Sequence, residues 1–230
     1  MLGNFANNIL SRTPIFLLFN GRFEEFLLSV LYLLPALVIA LSFHEAAHAW
    51  MANKMGDPTA KNLGRVTLDP TKHLDLFGFI SFLFLGFGWG KPVPTNPRNY
   101  HNYKKANVLV SLSGVTMNLM LSFVFTLVWY LLIGAFGVTN AIVLTIIQNI
   151  IVMNIFLCFF NLIPVPPLDG HHLISGFIAR KSPRFFMAYM RYGQIVLLAV
   201  LFLTNYIQYA LSFLASGVLT LYSLFFGLFF

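Results

Sequence analysis

Ile39-Ala40-Leu41-Ser42-Phe43-His44-Glu45-Ala46-Ala47-His48-Ala49-Trp50 sets two histidines and a glutamate inside an apolar run that reaches back to Phe26 and on to Met51. About 20 apolar residues in helix cross a bilayer, so this run reads as a membrane span carrying a metal-site signature. Residues four apart on a helix lie about 40° apart around the axis and about 6 Å along it, so both imidazoles can reach one ion. In the H-E-x-x-H pattern that ion is zinc, and the glutamate is the general base for a metal-bound water. The alternative is three polar residues gathered by chance. Burying them among Leu41, Phe43 and Trp50 without partners would cost several kcal/mol, which argues for a shared purpose.

The rest of the chain has the composition of a membrane protein. Of 230 residues, 58% are hydrophobic and 9% charged, and the mean hydropathy is +0.79, outside the soluble range. The net charge of +7 comes from basic residues set between apolar segments, not on one face or tail, which excludes a nucleic-acid partner. A single cysteine, Cys158, excludes an intramolecular disulfide and a thiolate metal site. No secretory leader is evident, since the apolar piece Pro14 to Phe19 between Arg12 and Arg22 is too short for a signal core.

Five runs are long enough to span: Phe26 to Met51, Ala106 to Phe136, Ala141 to Ile163, Met187 to Leu203 and Tyr206 to Phe230. The fold class is therefore an all-α polytopic membrane protein of about five transmembrane helices. An insert over about 53–105 follows the first span. Its apolar run Leu76 to Trp89, broken by Gly78, Gly86 and Gly88, suits a re-entrant segment or a β-hairpin, and pieces such as Gly64-Arg65-Val66-Thr67-Leu68 suit short strands. Eight basic residues, from Lys54 to Lys105, lie between the first two spans, and Arg180, Lys181 and Arg184 lie between the third and fourth. These loops are expected on the cytoplasmic side, with the metal site in the inner half of the bilayer.

A tetrahedral catalytic zinc takes a third protein ligand and keeps one open position. Asp169 is the acidic residue that stands alone in the last two thirds of the chain. It ends Asn161-Leu162-Ile163-Pro164-Val165-Pro166-Pro167-Leu168-Asp169-Gly170, where three prolines forbid a regular helix just past the third span. The second and third spans return it to the level of His48. A helix cap before Gly170 is the structural alternative.

On these residues the chain resembles the site-2 proteases, the intramembrane zinc metalloproteases. The likeness rests on His44-Glu45-Ala46-Ala47-His48 in an early membrane helix, Asn161 to Gly170 as an N-x-x-P-x-x-x-L-D-G element, and Gly114 to Asn118 as a G-x-x-x-N element. It points to the compact bacterial branch without a PDZ or regulatory domain, so that residues 1–230 form a single integral-membrane metalloprotease domain. Val115, where relatives have proline, and His171-His172 after Gly170 depart from the pattern. The resemblance implies His44, His48 and Asp169 as ligands of one Zn2+, Glu45 as general base, and Asn161 near the substrate or the metal water.

The expected activity is a zinc metalloendopeptidase of the cytoplasmic membrane that cleaves peptide bonds in or near transmembrane segments. Its partners would be a transmembrane protein or peptide substrate and the lipid bilayer. A freed substrate backbone could add as a strand to the Asn62 to Leu68 region. A non-proteolytic membrane metal-binding or transport protein is the competing class, but such a pathway needs ionisable residues along several spans. Asn118 and Gly114 read as close helix packing with an interhelical hydrogen bond, as do Gln148, Asn149 and Asn154. His73 and Asp75 read as surface or capping residues and His101 as a solvated loop residue. His171 or His172 could touch the metal.

Overall fold

Helix α1 (Phe23–Lys54) carries the histidine pair in its last third, and its buried positions crowd into that same half. Many of them are alanines. Ala36, Ala40, Ala49 and Ala52 are fully enclosed, and such small residues let neighbouring backbones approach where no water drives helices together. The molecule is described here by a computed structural model covering residue 17, residues 19 to 85 and residues 88 to 230. Arg12, Pro14 and Gly86, used in the sequence reading, lie outside the described residues.

Two long helices pack on α1 and on each other: α5 (Tyr103–Tyr130) and α6 (Ala141–Asn161). Each has a sequence-encoded start. The side chain of Asn102 accepts from the Lys105 N–H, and that of Asn140 accepts from the Ile142 and Val143 N–H groups, satisfying donors that a helix N-terminus leaves orphaned. A π turn over Leu131–Ala135 closes α5, and Gly137 at φ +61° reverses the chain. Between α1 and α5 lie the short helices α2 (Thr59–Asn62) and α3 (Pro70–His73), followed by α4 (Leu76–Leu85). After α6 come α7 (His171–Lys181), α8 (Pro183–Leu203) and α9 (Tyr206–Phe226). Ala215 and Leu219 of α9 pack on Ile151, Val152 and Ile155 of α6.

Among the described residues, five helices are long and apolar enough to cross a membrane, and they overlap the five runs read from the sequence. Outward positions such as Leu31, Met120, Val196 and Phe213 are exposed, as suits a lipid solvent. The insert differs in detail from its reading. No strand forms among the described residues; its β pairing is one isolated antiparallel bridge between Leu74 and Gly90. The Asn62 to Leu68 stretch is a helix end and turns, so it offers no strand edge for substrate addition. The reason is local: Arg65 turns inward to donate through Nη2 to the Lys91 carbonyl at 2.6 Å. That contact holds 65–68 as an irregular brace.

Candidate metal centre

His44 and His48 are one turn apart on α1, and both rings are buried, at 4% and 8% exposure. The Asn161 to Gly170 element brings Asp169 to them. Pro164, Pro166 and Pro167 prevent α6 from continuing, and the chain folds back until the Gly170 N–H donates to the Asn161 carbonyl at 2.7 Å. A Cβ on Gly170 would lie 2.3 Å from the Leu162 carbonyl oxygen, so this return needs glycine.

The three ligand atoms form a nearly equilateral triangle. His44 Nε2 lies 3.0 Å from His48 Nε2, and Asp169 Oδ2 lies 3.1 Å and 3.2 Å from the two nitrogens. Bonds of about 2.0 to 2.1 Å in tetrahedral array would separate donor atoms by roughly 3.3 Å. The triangle therefore fits a small tetrahedral cation.

Hydrogen bonding on the far side of each ring reinforces this. His48 Nδ1 faces the Val110 carbonyl at 2.7 Å, and His44 Nδ1 faces Asn118 Oδ1 at 2.6 Å. Both partners accept only, so each Nδ1 carries the proton and each Nε2 presents a lone pair inward. Asp169 Oδ2 is buried with no donor. Three acceptors thus converge with no proton among them, an arrangement that costs several kcal/mol unless a cation sits there.

Glu45 points to the same space, where its Oε2 accepts from the Val93 N–H at 3.0 Å. Glu45, His44, His48, Asn161, Asp169 and His172 all line one cavity of about 530 Å³. Apolar side chains including Leu37, Val152, Phe156 and Leu211 line it as well. Asn161 spends one amide N–H on the Leu157 carbonyl at 3.1 Å.

Comparison with known proteins agrees with this chemistry. Residues 133–201 match the model of peptidase family M50. The Bacillus subtilis (strain 168) protein named "Putative zinc metalloprotease YwhC" is 40% identical over 198 residues, which are 83% of this chain and 89% of that one. The chain belongs to peptidase family M50, the site-2 proteases. A chain from Mycobacterium tuberculosis (strain ATCC 25618 / H37Rv), named "Putative zinc metalloprotease Rip2", is 29% identical over 171 residues, covering 72% of this chain and 64% of its own length. No solved structure matches. The protein is thus a multi-pass zinc metalloendopeptidase of M50 type, and His44, His48 and Asp169 form a site able to hold the ion.

Other residues fall differently from their sequence reading. His73 is fully buried, its Nε2 at 2.8 Å from the Thr67 carbonyl, and so braces the insert instead of facing solvent. Asp75 does cap, accepting from the Gly78 N–H at 2.7 Å, and His101 is exposed. His171 turns its Nδ1 to the Leu168 carbonyl at 2.7 Å and stacks on His172, and neither joins the ligand triangle. Burial, with His171 alongside, pushes the His172 imidazole down to about 4, so it is neutral at pH 7. The sequence reading missed the contacts of Asn118 with His44 and of Val110 with His48. The G-x-x-x-N spacing was the one available signal.

Proposed function

We propose that this M50 protein is an intramembrane endopeptidase hydrolysing peptide bonds in or near transmembrane segments of membrane proteins. In this reading residues 1–230 act as one integral-membrane domain of the cytoplasmic membrane, with the active site toward the cytoplasmic side. The observation that carries it is the shared cavity, where a carboxylate, a three-acceptor metal site and apolar walls meet within a bundle of membrane-length helices. An aqueous substrate would not call for such walls.

His44, His48 and Asp169 would hold the metal through Nε2, Nε2 and Oδ2. A zinc ion there supplies Lewis acidity, acidifying a water toward neutral pH and polarising a carbonyl. Glu45 would accept a proton from the attacking water at Oε1, because the Val93 N–H already engages Oε2 and fixes the carboxylate's orientation. The same carboxylic acid then returns the proton to the leaving amine. Asn161 directs its remaining amide N–H at the developing oxyanion. The apolar wall seats the side chains that flank a substrate segment unwound to expose its carbonyl.

Glu45→Gln keeps shape and polarity but removes the base. Cleavage of a model transmembrane substrate by the purified protein should fall about a hundred-fold or more, with zinc content unchanged. Intact cleavage in this variant would end the proposed mechanism.

A further inference from the structure

We propose that Asn118 is a positioning residue for His44, and that Asn154 fixes the orientation of the Asn118 amide, so that three membrane helices share one buried relay ending on a metal-ligand ring. This rests on the reading of His44, His48 and Asp169 as the metal centre.

The relay is continuous and directional. Asn154, on α6, donates its Nδ2 to the Ile150 carbonyl of its own helix at 2.8 Å, which leaves its Oδ1 to accept. Asn118, on α5, donates its Nδ2 to that Oδ1 at 2.8 Å and to the Ala40 carbonyl of α1 at 3.2 Å. Its own Oδ1 then faces His44 Nδ1. Both asparagines are 0% exposed, so no water competes for these groups.

A packing amide would be satisfied by any partners. This one is not reversible: rotating the Asn118 amide by half a turn would set its oxygen against two acceptors and its NH2 against the N–H of His44. The locked orientation holds the proton on Nδ1 of His44. The Nε2 lone pair therefore faces the metal position before an ion arrives, and little reorganisation accompanies binding. For His48 the same task falls to a backbone carbonyl, Val110, which side-chain substitution does not remove. Asn118 is the member of the pair that mutation can test.

The experiment uses the full chain in detergent, stripped of metal, with Zn2+ titrated against a chromophoric chelator and Co2+ binding followed by its visible absorption. Asn118→Leu should bind Zn2+ roughly ten- to a hundred-fold more weakly and shift the Co2+ bands, as expected when a ring loses its orienting partner. Asn118→Asp keeps an acceptor for Nδ1–H and should stay within a few-fold of the parent. It nonetheless unfolds at lower temperature, having lost the N–H bonds to Ala40 and Asn154. Asn154→Leu frees the amide to turn and should weaken Zn2+ binding about three- to ten-fold. If Asn118→Leu does not fold, the Asp and Asn154 variants decide. Affinities that follow thermal stability across these variants, with no rescue by aspartate, would overturn the relay in favour of packing. His44→Ala separates the two readings. Unchanged Zn2+ affinity in His44→Ala removes the metal centre itself, whereas loss there with parental affinity in Asn118→Leu and Asn154→Leu removes only the relay.

Discussion

Gly114 decides how closely α5 can pass the two histidines, because a Cβ at that position would stand 2.5 Å from His48 Nε2 and 2.6 Å from His44 Cε1. Both rings are pinned by their Nδ1 contacts, so neither can give way without leaving the ligand triangle. Gly114→Ala should therefore lower zinc affinity at least ten-fold while the helix itself, relieved of a glycine, loses no intrinsic propensity. Metal analysis of the purified variant after dialysis checks this. Asn161→Ala tests a different role, since its amide lines the cavity but lies outside the metal cluster. Zinc content and thermal stability should hold while turnover falls about ten- to a thousand-fold, the range for removing one oxyanion donor. A lower unfolding temperature with normal turnover in the folded fraction would make Asn161 structural. At this scale the sequence told most about the ligand triangle: helical spacing joined His44 to His48, and the scarcity of acids picked out Asp169. The partner of His44 was hidden because it stands 74 positions away and an intrahelical asparagine looks the same whether it packs or positions.

The insert between α1 and α5 works as an element by being stapled at both ends. Asp57, just past α1, accepts from the Thr59 N–H at 3.1 Å, the Asn99 Nδ2 at 2.9 Å and the Asn96 N–H at 2.6 Å. The His101 N–H reaches back to the Met55 carbonyl at 3.0 Å. Inside the staple, Lys91 donates its N–H to the His73 carbonyl at 2.7 Å, which sets the Val93 N–H against Glu45. Burial disfavours a charge on Asp57, but hydrogen bonds from Thr59, Asn96 and Asn99 outweigh it and hold the carboxyl below its ordinary value of 3.8. A depressed folded value stabilises the fold fully above pH 3.8, and that contribution is lost as pH falls through the lower folded value. Asp57→Ala should cost about 1 to 3 kcal/mol at neutral pH, since it removes the buried carboxylate that ties Thr59, Asn96 and Asn99 together. The cost should shrink in acid, where a neutral carboxyl accepts more weakly, and thermal unfolding at pH 7 and below pH 3 measures both. Alternation at Gly64 to Leu68 suggested strands because Val66 and Leu68 are apolar. The pattern could not reveal that Arg65, just before them, has a partner 26 positions on in the Lys91 carbonyl, which outcompetes a ladder that has no neighbouring strand.

Across the whole molecule, the level of each loop follows from helix direction, and the spans were legible because bilayer thickness imposes a length that few other constraints imitate. The side of the membrane is a separate matter, carried by the basic residues. Lys54 closes α1 beyond His48, Lys104 and Lys105 open α5, and Arg180 and Lys181 close α7, while the turn from Gly137 to Asn140 and the link at Thr204 and Asn205 have none. Positive charge favours the cytoplasmic leaflet, so the end of the bundle that carries Asp169 should face inward. The native thiol is convenient for testing this: Cys158 is 2% exposed, and Cys158→Ser leaves a cysteine-free chain. Single cysteines at Thr139 and at Lys104 in that background should then react oppositely with a membrane-impermeant maleimide. Intact cells should label Thr139→Cys and spare Lys104→Cys, and opening the cells should label both. The reverse pattern would turn the enzyme over, placing the metal ligands in the outer half of the bilayer and requiring that substrates be cut from outside.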